Sequence, residues 1–206
     1  MTMTTQLSHI HRFVPGRDTK RPPLLLLHGT GGDENDLIGL GELVAPGSAL
    51  ISPRGKVLEN GMPRFFRRLS EGVFDEEDLR RRAAELAGFI AEAREAYGLA
   101  APVALGFSNG ANIAAALLLL HPQALAGAAL LRPMTPLRSA PAANLEGKPV
   151  LMLSGAADPI VPAADAGTLA ALLRERDAAV RHEILPAGHG LTQADVQQTK
   201  AWLAGL

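Results

Sequence analysis

Residues 103–120 of the chain read VALGFSNGANIAAALLLL. The apolar run Val103–Phe107 predicts a buried strand, and the alanine- and leucine-rich run Asn109–Leu120 predicts a helix that is apolar almost all round. Ser108 stands between them in a Gly-x-Ser-x-Gly pattern. This pattern places a serine on a tight strand-to-helix turn, with its hydroxyl beyond the carboxyl edge of a sheet. Alone it is weak evidence, because three fixed positions recur by chance in a chain with 21 glycines.

A reactive serine needs a base to accept its hydroxyl proton and a carboxylate to hold that base. The apolar run from Lys148 to Gly155 predicts a strand, and Asp158 follows it in a loop that a proline stiffens. Residues 180–186 predict another strand, and His189 follows it between two glycines. Ser108, Asp158 and His189 therefore each come after a predicted strand, in the order serine, acid, histidine.

The loop after the predicted strand at residues 23–27 offers hydrogen-bond donors. It reads HGTGGDEND over residues 28–36. A glycine-rich turn between a strand and a helix presents backbone N–H groups, which stabilise the oxyanion of a tetrahedral intermediate when they are preorganised. The predicted donors are the backbone amides of Thr30 and of Asn109, the residue after the serine.

Apolar runs alternate with helical patterns along the whole chain, which predicts a mostly parallel sheet covered by helices. The run at 23–27 has its strand at residues 24–27, and further strands are predicted at 7–14, 49–53 and 126–131. Further helices are predicted at 33–44, 75–97, 163–176 and 193–203. In such sheets ligands bind beyond the carboxyl ends of the strands, which is where the serine, acid and histidine are expected.

Five motifs together resemble the phospholipase/carboxylesterase branch of the α/β-hydrolase superfamily. They are LHGTGGD at 27–33, SPRG at 52–55, GFSNG at 106–110, DPIVP at 158–162 and GH at 188–189. The resemblance runs from about Pro23 to the end of the chain. It implies an eight-stranded type of α/β-hydrolase sheet with helices on both faces and no large cap domain. It also implies cofactor-free ester hydrolysis by a Ser108–Asp158–His189 triad. Asn109 favours the bacterial carboxylesterases over the thioesterases, in which glutamine is frequent at this position.

Composition narrows the function class further. A chain of 206 residues predicts one α/β domain over residues 1–206. The net charge of −1 gives no electrostatic case for nucleic acid, and zero cysteines exclude thiolate metal sites and a cysteine nucleophile. The N-terminus lacks the apolar core of a signal peptide, and no run is long enough to span a bilayer. We expect a cytoplasmic enzyme with a small-molecule ester substrate, no cofactor and no metal, and we leave monomer and homodimer open.

Two long connections, residues 54–74 and 132–148, are expected to shape an open, shallow, apolar cleft. The residues assigned to substrate binding are Met62, Phe65, Phe66, Met134 and Ile160. Core packing is the competing interpretation for the two phenylalanines. The arginines in and after the first connection, including Arg64, are interpreted as a solvated face.

Other interpretations stay open. Ser108 could be an ordinary turn residue with no catalytic role. Asp165 and Asp177 are alternative candidates for the acid. His28 is expected to hydrogen-bond the backbone of its own loop, and the spacing of His9 and His11 mimics a metal pair without a third ligand. The alternative functions are an acyl thioesterase or lysophospholipase with the same triad, a non-hydrolytic binding protein, and another chemistry of this fold such as C–C bond cleavage or perhydrolysis.

Overall fold

The computed structural model describes residues 7–206. Its central sheet has seven strands within this range: β1 (His11–Val14), β2 (Leu24–Leu27), β3 (Leu50–Pro53), β8 (Val103–Phe107), β9 (Gly127–Leu131), β10 (Pro149–Gly155) and β11 (Ala179–Leu185). Their spatial order is β1-β3-β2-β8-β9-β10-β11. Strand β1 pairs antiparallel with β3, and the other neighbours are parallel. The carboxyl ends of six strands therefore meet at one edge.

Five α-helices cover the two faces of this sheet. They are α1 (Ile38–Val44), α2 (Glu76–Tyr97), α3 (Asn109–Leu120), α4 (Ala163–Arg174) and α5 (Gln193–Leu203), and a short 3₁₀ turn spans Pro122–Ala124. Residues of α2, α3 and α4 form one hydrophobic cluster with the sheet, whereas α1 and α5 belong to a second cluster. The sheet is thus buried on both faces, as a parallel sheet requires.

Strand β2 shows how the sequence produces these two layers. Its four leucines have no exposed surface. Successive side chains of a strand point to opposite faces, so Leu25 and Leu27 pack in the first cluster while Leu24 and Leu26 pack in the second. A continuous apolar run is therefore the mark of a central strand here.

Most predicted elements are confirmed, and the differences have local causes. The bounds of β2, β8, α3 and α5 agree with the sequence pattern. The predicted helix at 33–44 begins only at Ile38, because the Asp33 side chain accepts a 2.7 Å hydrogen bond from the Asn35 N–H and holds a turn there. The sheet has seven strands in residues 7–206 rather than the eight that the family resemblance implied.

The connection at residues 54–74 is not a plain loop. It folds into two small antiparallel hairpins, β4 (Val57–Glu59) with β5 (Met62–Arg64), and β6 (Arg68–Ser70) with β7 (Val73–Phe74). Within residues 7–206, no helix combines the length and apolar character that crossing a membrane requires.

Candidate active site

Ser108 lies in a strained turn between β8 and α3. Its φ of 52° and ψ of −113° are rare for a residue with a side chain, and such strain clusters at functional sites. Its N–H donates to the Leu131 carbonyl of β9 at 2.9 Å, which fixes the turn to the sheet. Gly110 permits the close packing behind it, because a Cβ there would collide with the carbonyl oxygen of Leu27.

The structure brings the predicted serine, histidine and acid into one hydrogen-bonded row. His189 Nε2 lies 2.9 Å from Ser108 Oγ, and His189 Nδ1 lies 2.8 Å from Asp158 Oδ2. The three residues are up to 81 positions apart in the chain. Asp158 follows β10 and His189 follows β11, so the shared edge of a parallel sheet makes this meeting possible.

The Asp158 loop keeps its carboxylate charged and aimed. Oδ1 accepts hydrogen bonds from the N–H groups of Ile160 and Val161 at 2.8 and 3.0 Å, which leaves Oδ2 for His189. Burial acts to raise the pKa of Asp158. The backbone N–H groups of Val161 and Ile160, together with His189, outweigh burial and hold that pKa below its usual range.

This charge state determines the histidine tautomer. An ionised carboxylate has no proton to donate, so the hydrogen between Asp158 and His189 sits on Nδ1. The lone pair of Nε2 then faces Ser108 Oγ, which is the arrangement in which an imidazole accepts a hydroxyl proton.

The turn after β2 and the start of α3 carry the two predicted backbone donors, Thr30 and Asn109. In the turn after β2, the N–H of Gly31 donates to Pro63 and the N–H of Gly32 donates to Gly29. Thr30 and Asn109 donate no backbone hydrogen bond within residues 7–206. Asn109 is the first residue of α3, where a helix has no acceptor of its own for the N–H group. Neither predicted donor is therefore committed to an acceptor in the described part of the chain.

His28 braces the turn that carries Thr30. Its Nε2 accepts from the Gly55 N–H at 3.0 Å, so Nδ1 carries the hydrogen and donates to the Gly29 carbonyl at 2.7 Å. Burial lowers the pKa of His28, which keeps this ring neutral. The predicted backbone role of this histidine is confirmed.

Arg64 corrects the interpretation of its arginine run as a solvated face. Its side chain is only 3% exposed. Nη1 donates to Thr30 Oγ1 at 3.0 Å and to Glu59 Oε2 at 2.9 Å, and Nε donates to the Phe66 carbonyl. The sequence did not reveal this support, because nothing in the run distinguishes Arg64 from its exposed neighbour Arg67.

The residues assigned to substrate binding separate into two groups. Met62 and Ile160 are exposed, and the Met62 thioether lies over Gly31 of the turn after β2. Met134 is half-buried and donates its N–H to the Asn112 side chain. Phe65 and Phe66 are buried in the first hydrophobic cluster, where Phe66 has no exposed surface. These two side chains belong to the core and not to the surface of an open cleft, because hydrophobic burial draws both rings inward.

The rival residues have other partners. Asp165 Oδ2 accepts from the Thr135 N–H at 2.7 Å, and His11 Nε2 contacts the Tyr97 hydroxyl at 2.6 Å. In the described part of the chain, no three carboxylate or imidazole groups are arranged to hold a metal ion. A cavity of about 760 Å³ is bordered by Val103 and Pro149, where strands β8 and β10 begin. Its lining does not include Ser108, Asp158 or His189.

Comparison with known proteins identifies the family of this chain. The profile of the phospholipase/carboxylesterase family matches residues 9–206. A putative hydrolase of Bacillus subtilis (strain 168), MhqD, is 44% identical over 198 residues, which are 95% of this chain and 97% of the relative. The Bacillus cereus carboxylesterase structure superposes with a TM-score of 0.93 at 48% identity, covering 98% of this chain and 95% of that one. A Mesorhizobium loti carboxylesterase structure gives a TM-score of 0.92 at 36% identity, covering 98% and 97%.

The family match extends over nearly the whole chain, and these two carboxylesterase structures share its fold. The sheet order and the helices on both faces agree with the α/β-hydrolase architecture that the motifs predicted. The chain therefore belongs to the phospholipase/carboxylesterase family of α/β-hydrolases and is a carboxylic ester hydrolase.

Proposed function

We propose that the protein is a serine carboxylesterase that works through an acyl-enzyme intermediate. The observation that carries this proposal is the row of contacts from Ser108 Oγ through His189 to Asp158, at 2.9 and 2.8 Å. A serine alcohol is a weak nucleophile at its ordinary pKa, and an adjacent oriented base is what activates it.

In the first half of the reaction, Ser108 Oγ attacks the ester carbonyl carbon while its proton moves to His189 Nε2. The negative charge that develops on the carbonyl oxygen is stabilised by the free N–H groups of Thr30 and Asn109. When the intermediate collapses, the C–O bond to the alcohol breaks and His189 returns the proton to the departing oxygen. Asp158 stabilises the imidazolium in between and stays ionised itself.

The second half repeats these steps with water. His189 takes a proton from a water molecule as its oxygen attacks the acyl carbon of the Ser108 ester. Collapse of this second intermediate breaks the bond to Ser108 Oγ, and His189 protonates the serine. The carboxylic acid leaves, and the enzyme is restored without a cofactor.

The surroundings of the triad favour an apolar acyl group. The Phe107 ring lies 5.4 Å from the His189 ring. The exposed Met62 side chain lies over Gly31, next to Thr30, and the exposed Ile160 side chain belongs to the loop that carries Asp158. An acyl thioesterase or a lysophospholipase with the same triad is the second candidate. A series of oxygen and sulfur esters of rising chain length separates these activities.

Labelling with a fluorophosphonate probe tests the proposal, because only an activated serine reacts. We expect the wild-type protein to be labelled and to hydrolyse p-nitrophenyl butyrate, and Ser108→Ala to lose both properties while keeping its melting temperature. A labelled Ser108→Ala protein, or one with most of its activity, would refute the assignment.

Ser154 offers a matched control. Its Oγ lies 2.9 Å from His182 Nε2, a second serine–histidine contact, but this serine is only 2% exposed. No carboxylate in residues 7–206 hydrogen-bonds His182 Nδ1. Ser154→Ala should therefore keep both labelling and turnover.

A further inference from the structure

Arg132 is a buried cation behind the histidine loop. It directly follows β9, has no exposed surface, and has a backbone φ of 57° in the left-handed region. Arginine is almost never fully buried unless it is paired, and a side chain in that backbone region is strained. Both the burial of the charge and the strained backbone are costly, so the contacts of Arg132 must compensate for them.

The guanidinium uses all five of its N–H groups. Nε donates to the Gly188 carbonyl at 2.9 Å, and Nη2 donates to the Gly190 carbonyl at 3.2 Å. Nη1 donates to the Leu153 carbonyl at 3.2 Å. The remaining two N–H groups donate to the Asp195 carboxylate at 2.7 and 2.9 Å. One rigid planar group therefore holds the backbone on both sides of His189.

Asp195 links Arg132 to Thr192, the residue that ends the loop before α5. The side chain is 1% exposed, and its Oδ2 accepts from both the N–H and the hydroxyl of Thr192 at 2.8 Å. Burial acts to raise the pKa of Asp195, but hydrogen bonds from Arg132 and Thr192 outweigh it and hold that pKa below the usual range. The carboxylate thus stays charged and keeps its bidentate bond to Arg132.

Stability alone does not account for this pair. Replacing a buried ion pair by apolar side chains of similar volume is often neutral or stabilising, because burying two charges carries a large desolvation cost. An apolar pair, however, cannot donate hydrogen bonds to the Gly188 and Gly190 carbonyls, so it would not fix the orientation of the loop.

We propose that Arg132, held by Asp195, is the positioning residue for His189. This inference rests on the proposed function of the triad and deepens it. Because all five N–H groups of Arg132 are engaged with the loop, β10 and Asp195, the residue acts through the histidine and not on the substrate. His189 must meet Ser108 and Asp158 at once, and a misplacement of about 1 Å in such a site costs roughly 10²-fold in rate.

The test uses the double variant Arg132→Met with Asp195→Asn. It removes both charges, keeps similar volumes and leaves an oxygen for Thr192. We expect kcat for p-nitrophenyl butyrate to fall about 10- to 100-fold, with KM changed by less than about two-fold, because orientation and not binding is lost. The far-downfield proton resonance of the His189–Asp158 hydrogen bond should broaden or disappear. For Arg132→Lys, we expect a kcat between those of the double variant and the wild type, because lysine has three donors and no planar fork.

Arg82→Met is the matched control. Arg82 is a half-buried arginine paired with Asp78 and Glu85 on α2, a helix that gives no residue to the proposed triad. Its loss should lower the melting temperature and leave kcat and the downfield resonance unchanged. A folded double variant with wild-type kcat and resonance would overturn the proposal. If the double variant does not fold, kcat and the downfield resonance are measured on Arg132→Lys instead. Wild-type values of both in Arg132→Lys would overturn the proposal.

The two proposals fail in different ways. Failure of the proposed function appears as wild-type protein that does not react at Ser108 with the fluorophosphonate. The downfield resonance reports the position of His189 without turnover, so its persistence in the variants counts against the Arg132 proposal alone.

Discussion

The side-chain oxygen of Asn109 accepts a 2.8 Å hydrogen bond from the backbone N–H of Phe65. This bond ties the residue after Ser108 to the connection that carries the β4–β5 hairpin. That hairpin also receives the N–H of Gly31 on the Pro63 carbonyl at 3.0 Å. Asn109 thus has two separable roles, a structural one in its side chain and a proposed oxyanion role in its backbone.

Asn109→Ala separates these roles. It leaves the buried N–H of Phe65 without an acceptor, which should lower the free energy of unfolding by about 1–3 kcal/mol. The backbone N–H of residue 109 remains, so kcat should fall by less than about ten-fold, well short of the loss of an oxyanion donor. Urea denaturation and steady-state kinetics on the same preparation measure the two effects. A loss of several hundred-fold in kcat would show that the side chain acts in the chemistry.

Thr30→Pro removes the other proposed donor. A proline has no N–H, and losing one oxyanion donor costs about 10²–10³-fold in kcat. Thr30→Val is the control, because it removes the hydroxyl that accepts from Arg64 Nη1 but keeps the N–H. Steady-state kinetics with p-nitrophenyl butyrate compare the two variants. Equal losses in both would assign the effect to the Arg64 contact instead.

Asp158→Asn tests the tautomer argument. The asparagine oxygen can still accept from the N–H groups of Ile160 and Val161, so the loop should stay folded. Its amide N–H₂ would face His189 Nδ1 and favour the wrong tautomer, and such a change costs about 10⁴-fold in kcat. Kinetics with a thermal melt check this, and an active variant would point to another residue as the acid.

His9 should make stability fall in mild acid. Burial lowers the pKa of His9 from 6.5 to about 4, so the unfolded chain takes up its proton first as the pH drops. The free energy of unfolding should therefore decrease between about pH 6.5 and about pH 4, by up to about 1.4 kcal/mol per pH unit. Denaturant titrations at several pH values measure this slope.

His9→Gln is the comparison, since glutamine does not titrate. Its stability should change less over the same pH range. The buried His28 has a lowered pKa as well and contributes a slope of the same sign to both proteins. If the two proteins show equal slopes, His9 does not govern this pH dependence.

Sequence patterns gave the order of the elements and the identity of the triad candidates. Strand β8, the turn at Ser108 and helix α3 are local, since an apolar run, a glycine pair and a helical pattern follow each other within 18 residues. Parallel strands end at a common edge, so residues after strands could be expected to meet without knowing any distance. Sequence patterns did not reveal the hairpins within residues 54–74, because their strands are only two or three residues long. They also did not decide the burial of Phe65 and Phe66, which depends on what packs over them.

By itself the sequence determined the sheet, its helices and the three candidate side chains of the proposed triad, because periodicity and turn residues act over short distances. Only the tertiary structure decided which charged residues are buried. Arg64 reaches a partner 34 positions away and Arg132 reaches one 63 positions away, and no local pattern marks either contact. The burial of an arginine depends on whether distant acceptors satisfy its five donors, and that is a property of the folded chain.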